Sequence, residues 1–304
     1  PSRPIHYEGG INGNWTGGHS LTDVICPMYS SIKALVDYAK SGKQDRPLIM
    51  CEYSHAMGNS NGTLKEYWDA IHSTPGLQGG FIWEFWDHGI EQTMADGTKR
   101  SAYGGDFGET PHDGNFVCDG MVFPDRTPKP AMHEMKAIAS PVVISTTKAS
   151  GGSFTVTNRQ YFKDLADFEA FWSINRNGEV IDSGKVVLPK IAPQKSAKIS
   201  IKSKSLLKPD AAGERFINFT IVQKNRTDWA PAGHEVAWNQ FALPSRKENI
   251  PAAKTNNLFE IAVDDSGEIQ IPFGVIAPEL SLWRAPTDND RIGRMTTKWE
   301  QYGV

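Results

Sequence analysis

Residues 47–62, PLIMCEYSHAMGNSNG, constrain the fold of this chain more than any other stretch. The apolar run Leu48–Cys51 has the length and make-up of a strand buried on both faces. It breaks abruptly at Glu52, followed by Tyr53, Ser54 and His55, polar groups able to reach one point. Gly58, Asn59, Ser60 and Gly62 then make a loop, after which Leu64, Tyr67, Trp68 and Ile71 recur at helical spacing. A buried strand that ends in a carboxylate and passes through a loop into a helix is one unit of an α/β barrel, and barrels carry their chemistry where strands end. Glu52 is therefore a candidate catalytic carboxylate. The plainer reading is a strand-end carboxylate paired with an Arg or a backbone amide.

The flanking sequence repeats the same unit. Pro4–Tyr7 reads as a short strand ending at Glu8, and Asp23–Met28 as a buried strand ending at Tyr29. Ile32, Leu35, Val36 and Ala39 fall at i, i+3, i+4 and i+7, which predicts an amphipathic helix stopped at Gly42. A helix over about 63–72 and a fourth strand over Gly79–Phe85 follow. Strands alternating with short helices indicate parallel βα units. Four such strands are half of an eight-stranded barrel. From Arg100 to Pro130 the periodicity is lost, and a loop of that length is usually functional or closely packed. A short helix over about Met132–Ala139 ends this part.

After Pro141 the pattern turns to alternating β runs: Phe154–Val156, Phe168–Ile174, Val180–Val187, Lys198–Ile201 and Phe216–Val222. Asn177–Gly178 between two of them is a strong hairpin signal. These runs predict an antiparallel sandwich closing near Trp238–Leu243. From about Ile250 a further piece begins, with a hairpin around Asp265–Gly267 and then LWRAPTDND. The expected organisation is 1–140, the C-terminal half of a TIM (β/α)8 barrel; 141–248, an immunoglobulin-like β-sandwich; and 249–304, the start of a further β domain.

Composition removes other classes. A net charge of −3 without a basic run gives no electrostatic case for nucleic acid or an anionic membrane. No apolar run approaches the ~20 residues a bilayer span needs. Cys26, Cys51 and Cys118 are odd in number and widely spaced, so they read as reduced core residues rather than a disulfide framework. The eight histidines show no paired metal spacing. The chain begins PSRP, with neither an initiator Met nor a signal peptide, and is read as a piece whose natural start lies upstream.

The string CEYSHAMGNS resembles the nucleophile segment of the β-galactosidases of glycoside hydrolase family 2, the bacterial lactose-cleaving type. CPMY, GGFIWEFWD, NFVCDG and RAPTDND match further family segments in the same order, most densely over 1–130. The resemblance implies retaining hydrolysis of terminal β-galactosides, with Glu52 as the nucleophile that forms a covalent galactosyl intermediate. It implies that Tyr29 orients Glu52 by a hydrogen bond, that His55 contacts galactose hydroxyls, and that Trp83 is a platform under the sugar's apolar face. Phe85 and Trp86 qualify as platforms on composition alone. Phe116 and Asp119 match a segment that supplies a Na⁺ ligand pair in relatives, which have Asn where this chain has Asp119; the carboxylate can instead meet a sugar hydroxyl.

Retention requires a second carboxyl group. From the residues alone Glu8, Glu84 and Asp87 are candidates, all at or near strand ends. The family's acid/base is the Glu of an Asn-Glu pair on an earlier strand, and this sequence contains no Asn-Glu dipeptide. The principal Mg²⁺ ligands also belong upstream. The expectation is that the chain alone is inactive, needs the missing N-terminal half as a complementing partner, and is homo-oligomeric when full length. A non-catalytic complementing fragment is the alternative from another class. Sister activities, β-glucuronidase and β-mannosidase, stay open, although HAMGNS favours the galactosidases. RAPTDND is read as structural, with Asp and Asn capping turns. A cytoplasmic location is expected, and a periplasmic one stays open because the start of the chain does not decide it.

Overall fold

The computed structural model describes residues 2–207, 212–246, 262–265, 269–271 and 284–302. The first part is built on a parallel pair, β1 (Leu48–Tyr53) and β2 (Leu77–Ile82), with α1 (Ile32–Lys40) and α2 (Leu64–Ser73) against it. Leu35 of α1 is buried with Leu48, Met50 and Tyr53 of β1 and Leu64 and Ile71 of α2. The Ser31 hydroxyl caps α1 by accepting from the Ala34 amide, satisfying one of the free N–H groups at the helix start. Gly80 is needed for the close approach of the two strands, since a Cβ there would lie 2.9 Å from Tyr53 Cδ1 and 3.0 Å from Met50 Cβ.

The predicted strand Asp23–Met28 pairs with β1 in parallel only through bridges Ile25–Leu48 and Met28–Glu52. Pro27 lies between them and has no N–H to donate, so the ladder is interrupted although the Pro27 carbonyl still accepts from Cys51. Pro4–Tyr7 forms no strand; Ile5 is tied instead to Asp23 through backbone and side chain. The expected burial of β1 on both faces holds for one. Leu48 and Met50 are fully buried, whereas Ile49 and Cys51 on the other face are partly open.

The stretch after β2 contains a hairpin that the sequence reading missed, β3 (Ile90–Thr93) with β4 (Lys99–Ala102), turning at Asp96–Gly97. The Gly97 φ of +85° suits a residue without Cβ. Helix α3 (Pro130–Ile138) then packs on α2.

The second part has its own core. Strands β5 (Val142–Ser145), β6 (Ser153–Asn158) and β9 (Ser196–Ser200) form one antiparallel sheet, in the order β5-β6-β9. A second is ordered β11-β10-β7-β8, from β7 (Phe168–Arg176), β8 (Glu179–Val186), β10 (Arg215–Gln223) and β11 (Glu235–Ala242). The strict alternation of β10 buries Ile217, Phe219 and Ile221 completely, and Phe219 meets Phe154 of the facing sheet edge-on at 4.8 Å. Asn177 and Gly178 both take positive φ between β7 and β8, as a two-residue hairpin turn requires.

Farther on, β12 (Ala262–Val263) pairs antiparallel with β13 (Ile269–Gln270), consistent with the hairpin expected there. Gly267 itself, like Leu282 and Trp283 of LWRAPTDND, lies outside the described residues. Two short helices follow, α4 (Asp288–Ile292) and α5 (Met295–Gln301).

Candidate active site

Glu52 stands at the end of β1, and the neighbouring chain is bound to it by its backbone. Tyr29 N–H donates to the Glu52 carbonyl at 2.9 Å, and the Tyr29 hydroxyl donates to the Glu52 carboxylate. Burial, and then that hydrogen bond, push the Tyr29 phenol well above its ordinary range, so it stays a donor. Tyr29 and Ser54 both have positive φ, 49° and 51°. For a bulky Tyr that conformation is strained, and such strain collects at functional sites.

The end of β2 is stitched to the same place. Trp83 N–H donates to the Tyr53 carbonyl (3.1 Å) and the Trp83 carbonyl accepts from Ala56 (2.7 Å). The Trp83–Glu84 peptide bond is cis. Glu84 N–H donates to the Asp119 carbonyl (2.7 Å) and Met121 N–H to the Glu84 carbonyl (2.9 Å), so the 117–122 segment runs beside the strand end. This docking buries Asp119, whose Oδ2 accepts from the Trp83 indole at 3.0 Å and lies 3.6 Å from His55 Nε2. The His55 ring stacks on Phe116 at 5.5 Å and faces Tyr29 edge-on at 6.1 Å.

All six residues singled out from the sequence thus converge: Tyr29, Glu52, His55, Trp83, Phe116 and Asp119. The cluster is open on one side, since Tyr29, Trp83 and Phe116 remain 42%, 38% and 48% exposed. A half-exposed indole beside buried polar groups suits a ligand with one apolar face and several hydroxyls. Among the alternative platforms, Trp86 is engaged elsewhere. Its indole donates to the Pro124 carbonyl at 3.1 Å and its ring lies under the Arg126 guanidinium. Phe85 is 63% exposed.

The three candidate partner carboxylates have different roles. Asp87 is a buried structural ion: its Oδ1 accepts from Lys129 Nζ at 2.8 Å and from Gly120 N–H at 2.6 Å. Glu84 is raised to about 8 by burial and then by a hydrogen bond to Asp119, so it carries the proton that two adjacent carboxyl groups must share. His88 Nε2 is 3.0 Å from its Oε1. Glu8 sits in an exposed turn, near enough to Cys51 to add, after burial, to the rise of that thiol to about 11.

Sequence reasoning did not find the pairing of Glu84 with Asp119, nor the reach of Asn289 into the loop after Glu52. Asn289 Oδ1 lies 2.8 Å from His55 Nδ1, and its backbone N–H donates to Ser60 Oγ at 3.3 Å. The signal was RAPTDND. The capping expected of Asp and Asn there holds for Asp290, which forms a reciprocal capping box with Thr287 and carries Arg284 at 2.7 and 3.0 Å, but not for Asn289. The Asn side chain between them was free for another contact.

Residues 1–144 match the family described as glycosyl hydrolases family 2, TIM barrel domain, and residues 154–244 match β-galactosidase, domain 4. The part over 1–144 belongs to glycoside hydrolase family 2. The chain is 36% identical to a β-galactosidase of Arthrobacter sp. (strain B7) over 95% of this chain and 31% of that protein. A β-galactosidase of Photobacterium profundum is 34% identical over 95% of this chain and 31% of its own length. One from Vibrio vulnificus is 35% identical over all of this chain and 33% of its own length. The chain therefore spans about a third of the length of the curated relatives it matches.

The metals implied by the family fit poorly. Among the described residues no three His, Cys, Asp or Glu side chains gather to hold an ion. Asp119 brings one carboxylate, already held by Glu84 and the Trp83 indole, where a Na⁺ site needs several oxygen donors. No chemical step is derived through either ion.

Proposed function

We propose that the protein to which this chain belongs is a retaining β-galactosidase and that Glu52 is its nucleophile. The observation that carries the reading is the convergence of a strand-end carboxylate, held by the Tyr29 hydroxyl, with the Trp83 face and the buried polar pair His55 and Asp119. Glu52 attacks the anomeric carbon while the glycosidic oxygen leaves with a proton, giving a galactosyl ester that water then cleaves. The Tyr29 phenol fixes the attacking oxygen, and the Trp83 indole covers the apolar face of the ring. Phe116 braces His55 by stacking. The acid/base belongs to a part of the enzyme upstream of this chain. Glu84 carries a proton, but its hydrogen bond goes to Asp119, which assigns it to holding that carboxylate rather than to the leaving group.

On this reading residues 1–140 are the later half of a (β/α)8 barrel and 141–248 an immunoglobulin-like sandwich, which the two separate cores support. Residues 249–304 open a further β domain of a cytoplasmic homo-oligomer. Mg²⁺ and Na⁺ would be bound with upstream ligands.

The test is hydrolysis of aryl β-galactosides by the full-length protein, followed by ¹H NMR. The β-anomer of galactose should appear first, and matched β-glucuronides and β-mannosides should be poor substrates. The isolated chain should lose the ~10²–10⁴-fold that general acid assistance supplies. Initial release of the α-anomer, or preference for another glycone, would contradict the reading.

A further inference from the structure

The contact between Asn289 and His55 crosses 234 positions of sequence and can be oriented without seeing a hydrogen. The Asn289 amide touches His55 twice: Nδ2 donates to the His55 backbone carbonyl at 3.3 Å, and Oδ1 lies 2.8 Å from Nδ1. A backbone carbonyl only accepts, so the nitrogen end of the amide must face it. The oxygen end then faces Nδ1, and because it too only accepts, Nδ1 must carry the hydrogen. In a neutral imidazole the other nitrogen is then bare.

That bare nitrogen is Nε2, and it is buried without a hydrogen-bond partner. Its neighbour at 3.6 Å, Asp119 Oδ2, is an acceptor already engaged by the Trp83 indole. The other Asp119 oxygen is occupied by the Glu84 carboxyl, so Nε2 is the acceptor left over. It lies beside a half-exposed indole, and what completes it is a ligand bringing a donor, which a hydroxyl group is. A buried acceptor left unmade is costly, so an arrangement that keeps one in place favours such a ligand.

We propose that Asn289 is a positioning residue for sugar binding: it pins the His55 imidazole with its hydrogen on Nδ1 and leaves Nε2 as an acceptor for a substrate hydroxyl. The inference rests on the reading that His55 faces the sugar. The surrounding sequence is built to hold Asn289 there. The capping box of Thr287 and Asp290 fixes the first turn of α4, the Arg284 fork locks Asp290, and the Asn289 backbone anchors to Ser60 in the same loop as His55. Asn289 acts through His55.

The experiment is steady-state kinetics of the full-length enzyme on an aryl β-galactoside with His55→Ala, Asn289→Leu, Asn289→Asp and the double variant His55→Ala/Asn289→Leu. His55→Ala and Asn289→Leu should each raise KM by about tenfold, the worth of one good hydrogen bond. Asn289→Asp still offers an oxygen to Nδ1–H but sets its second oxygen against the His55 carbonyl that Nδ2 held, so it should recover part of that loss. The double variant should be no worse than His55→Ala, because Asn289 has nothing left to position. A loss equal in Asn289→Asp and Asn289→Leu, or additive with His55→Ala, would mean that Asn289 merely braces the loop, and the proposal falls. Unchanged KM in Asn289→Leu overturns it as well. Unchanged KM in His55→Ala overturns the sugar-facing reading itself, a distinct failure. Should Asn289→Leu not fold, ¹⁵N shifts of the His55 ring in the histidine-labelled wild type decide: a protonated Nδ1 and bare Nε2 support the inference, the opposite tautomer refutes it.

Discussion

Substituting Lys129→Met tests how the Asp119 segment is held. Lys129 Nζ and Asp87 Oδ1 are 2.8 Å apart with side chains only 6% and 4% exposed, and the same Oδ1 accepts from Gly120 N–H at 2.6 Å. The ion pair therefore fastens Gly120, next to Asp119, to the strand end that carries Trp83. Methionine keeps the length of the lysine stem but leaves Asp87 as a buried carboxylate with one amide donor. Breaking a buried pair in this way costs about 3–5 kcal/mol. A loss of about 3 kcal/mol corresponds to ~10²-fold more frequent local opening. Hydrogen exchange read by mass spectrometry should show it in peptides spanning 83–88 and 117–123, with the strands from 142 to 242 unchanged. Asp87→Asn/Lys129→Met should restore most of the protection, since the Asn oxygen still accepts from Gly120 and no charge is left buried. Exchange within about threefold of wild type in Lys129→Met, or a double variant no better than the single one, would refute the reasoning.

Glu84 gives a pH dependence with a definite sign. Its folded pKa of about 8 lies above the ordinary 4.5, so its contribution to stability is fully present below the unfolded value and is lost as pH rises through about 8. Melting temperatures from pH 5 to 9 should therefore fall more steeply for wild type than for Glu84→Gln, and parallel curves would contradict the assignment. Phe219→Ala removes a fully buried ring from between the two sheets and should cost about 3–5 kcal/mol. Calorimetry should place that loss in the sandwich transition, and a loss under about 1 kcal/mol would mean that the two sheets do not share this core.

Much of this was legible locally. The periodicity of residues 32–39 and the Asn177–Gly178 turn are decided by residues within a few positions of one another and formed as read, whereas β1 runs past the apolar stretch through Glu52 to Tyr53 and is buried on one face. What failed depended on distant partners or on one missing donor. Pro27 reduces its strand to bridges because it lacks the N–H that the ladder needs. Asp87 looks like any strand-end carboxylate until Lys129, 42 positions on, closes over it. Glu84 is raised by burial and then by Asp119 folded against it, neither of which its neighbours in sequence announce, and Asn289 becomes relevant only through a contact across 234 positions. The six candidate residues could be named from motif context. The hydrogen bonds that orient them are tertiary and had no local signature.

The central claim is that Glu52 is the group that bonds to the sugar. Full-length enzyme treated with a 2-deoxy-2-fluoro galactosyl donor bearing a good leaving group should accumulate an ester. The fluorine destabilises the oxocarbenium-like transition states of both steps, and the leaving group rescues only the first. Peptide mapping by mass spectrometry should place the added mass on the peptide containing Glu52, because only the nucleophile of a retaining pair is glycosylated. Glu52→Gln should take up no label while keeping its fold, since an amide of the same shape cannot attack. Label on Glu8, Glu84 or Asp87, or persistent labelling of Glu52→Gln, would contradict the account.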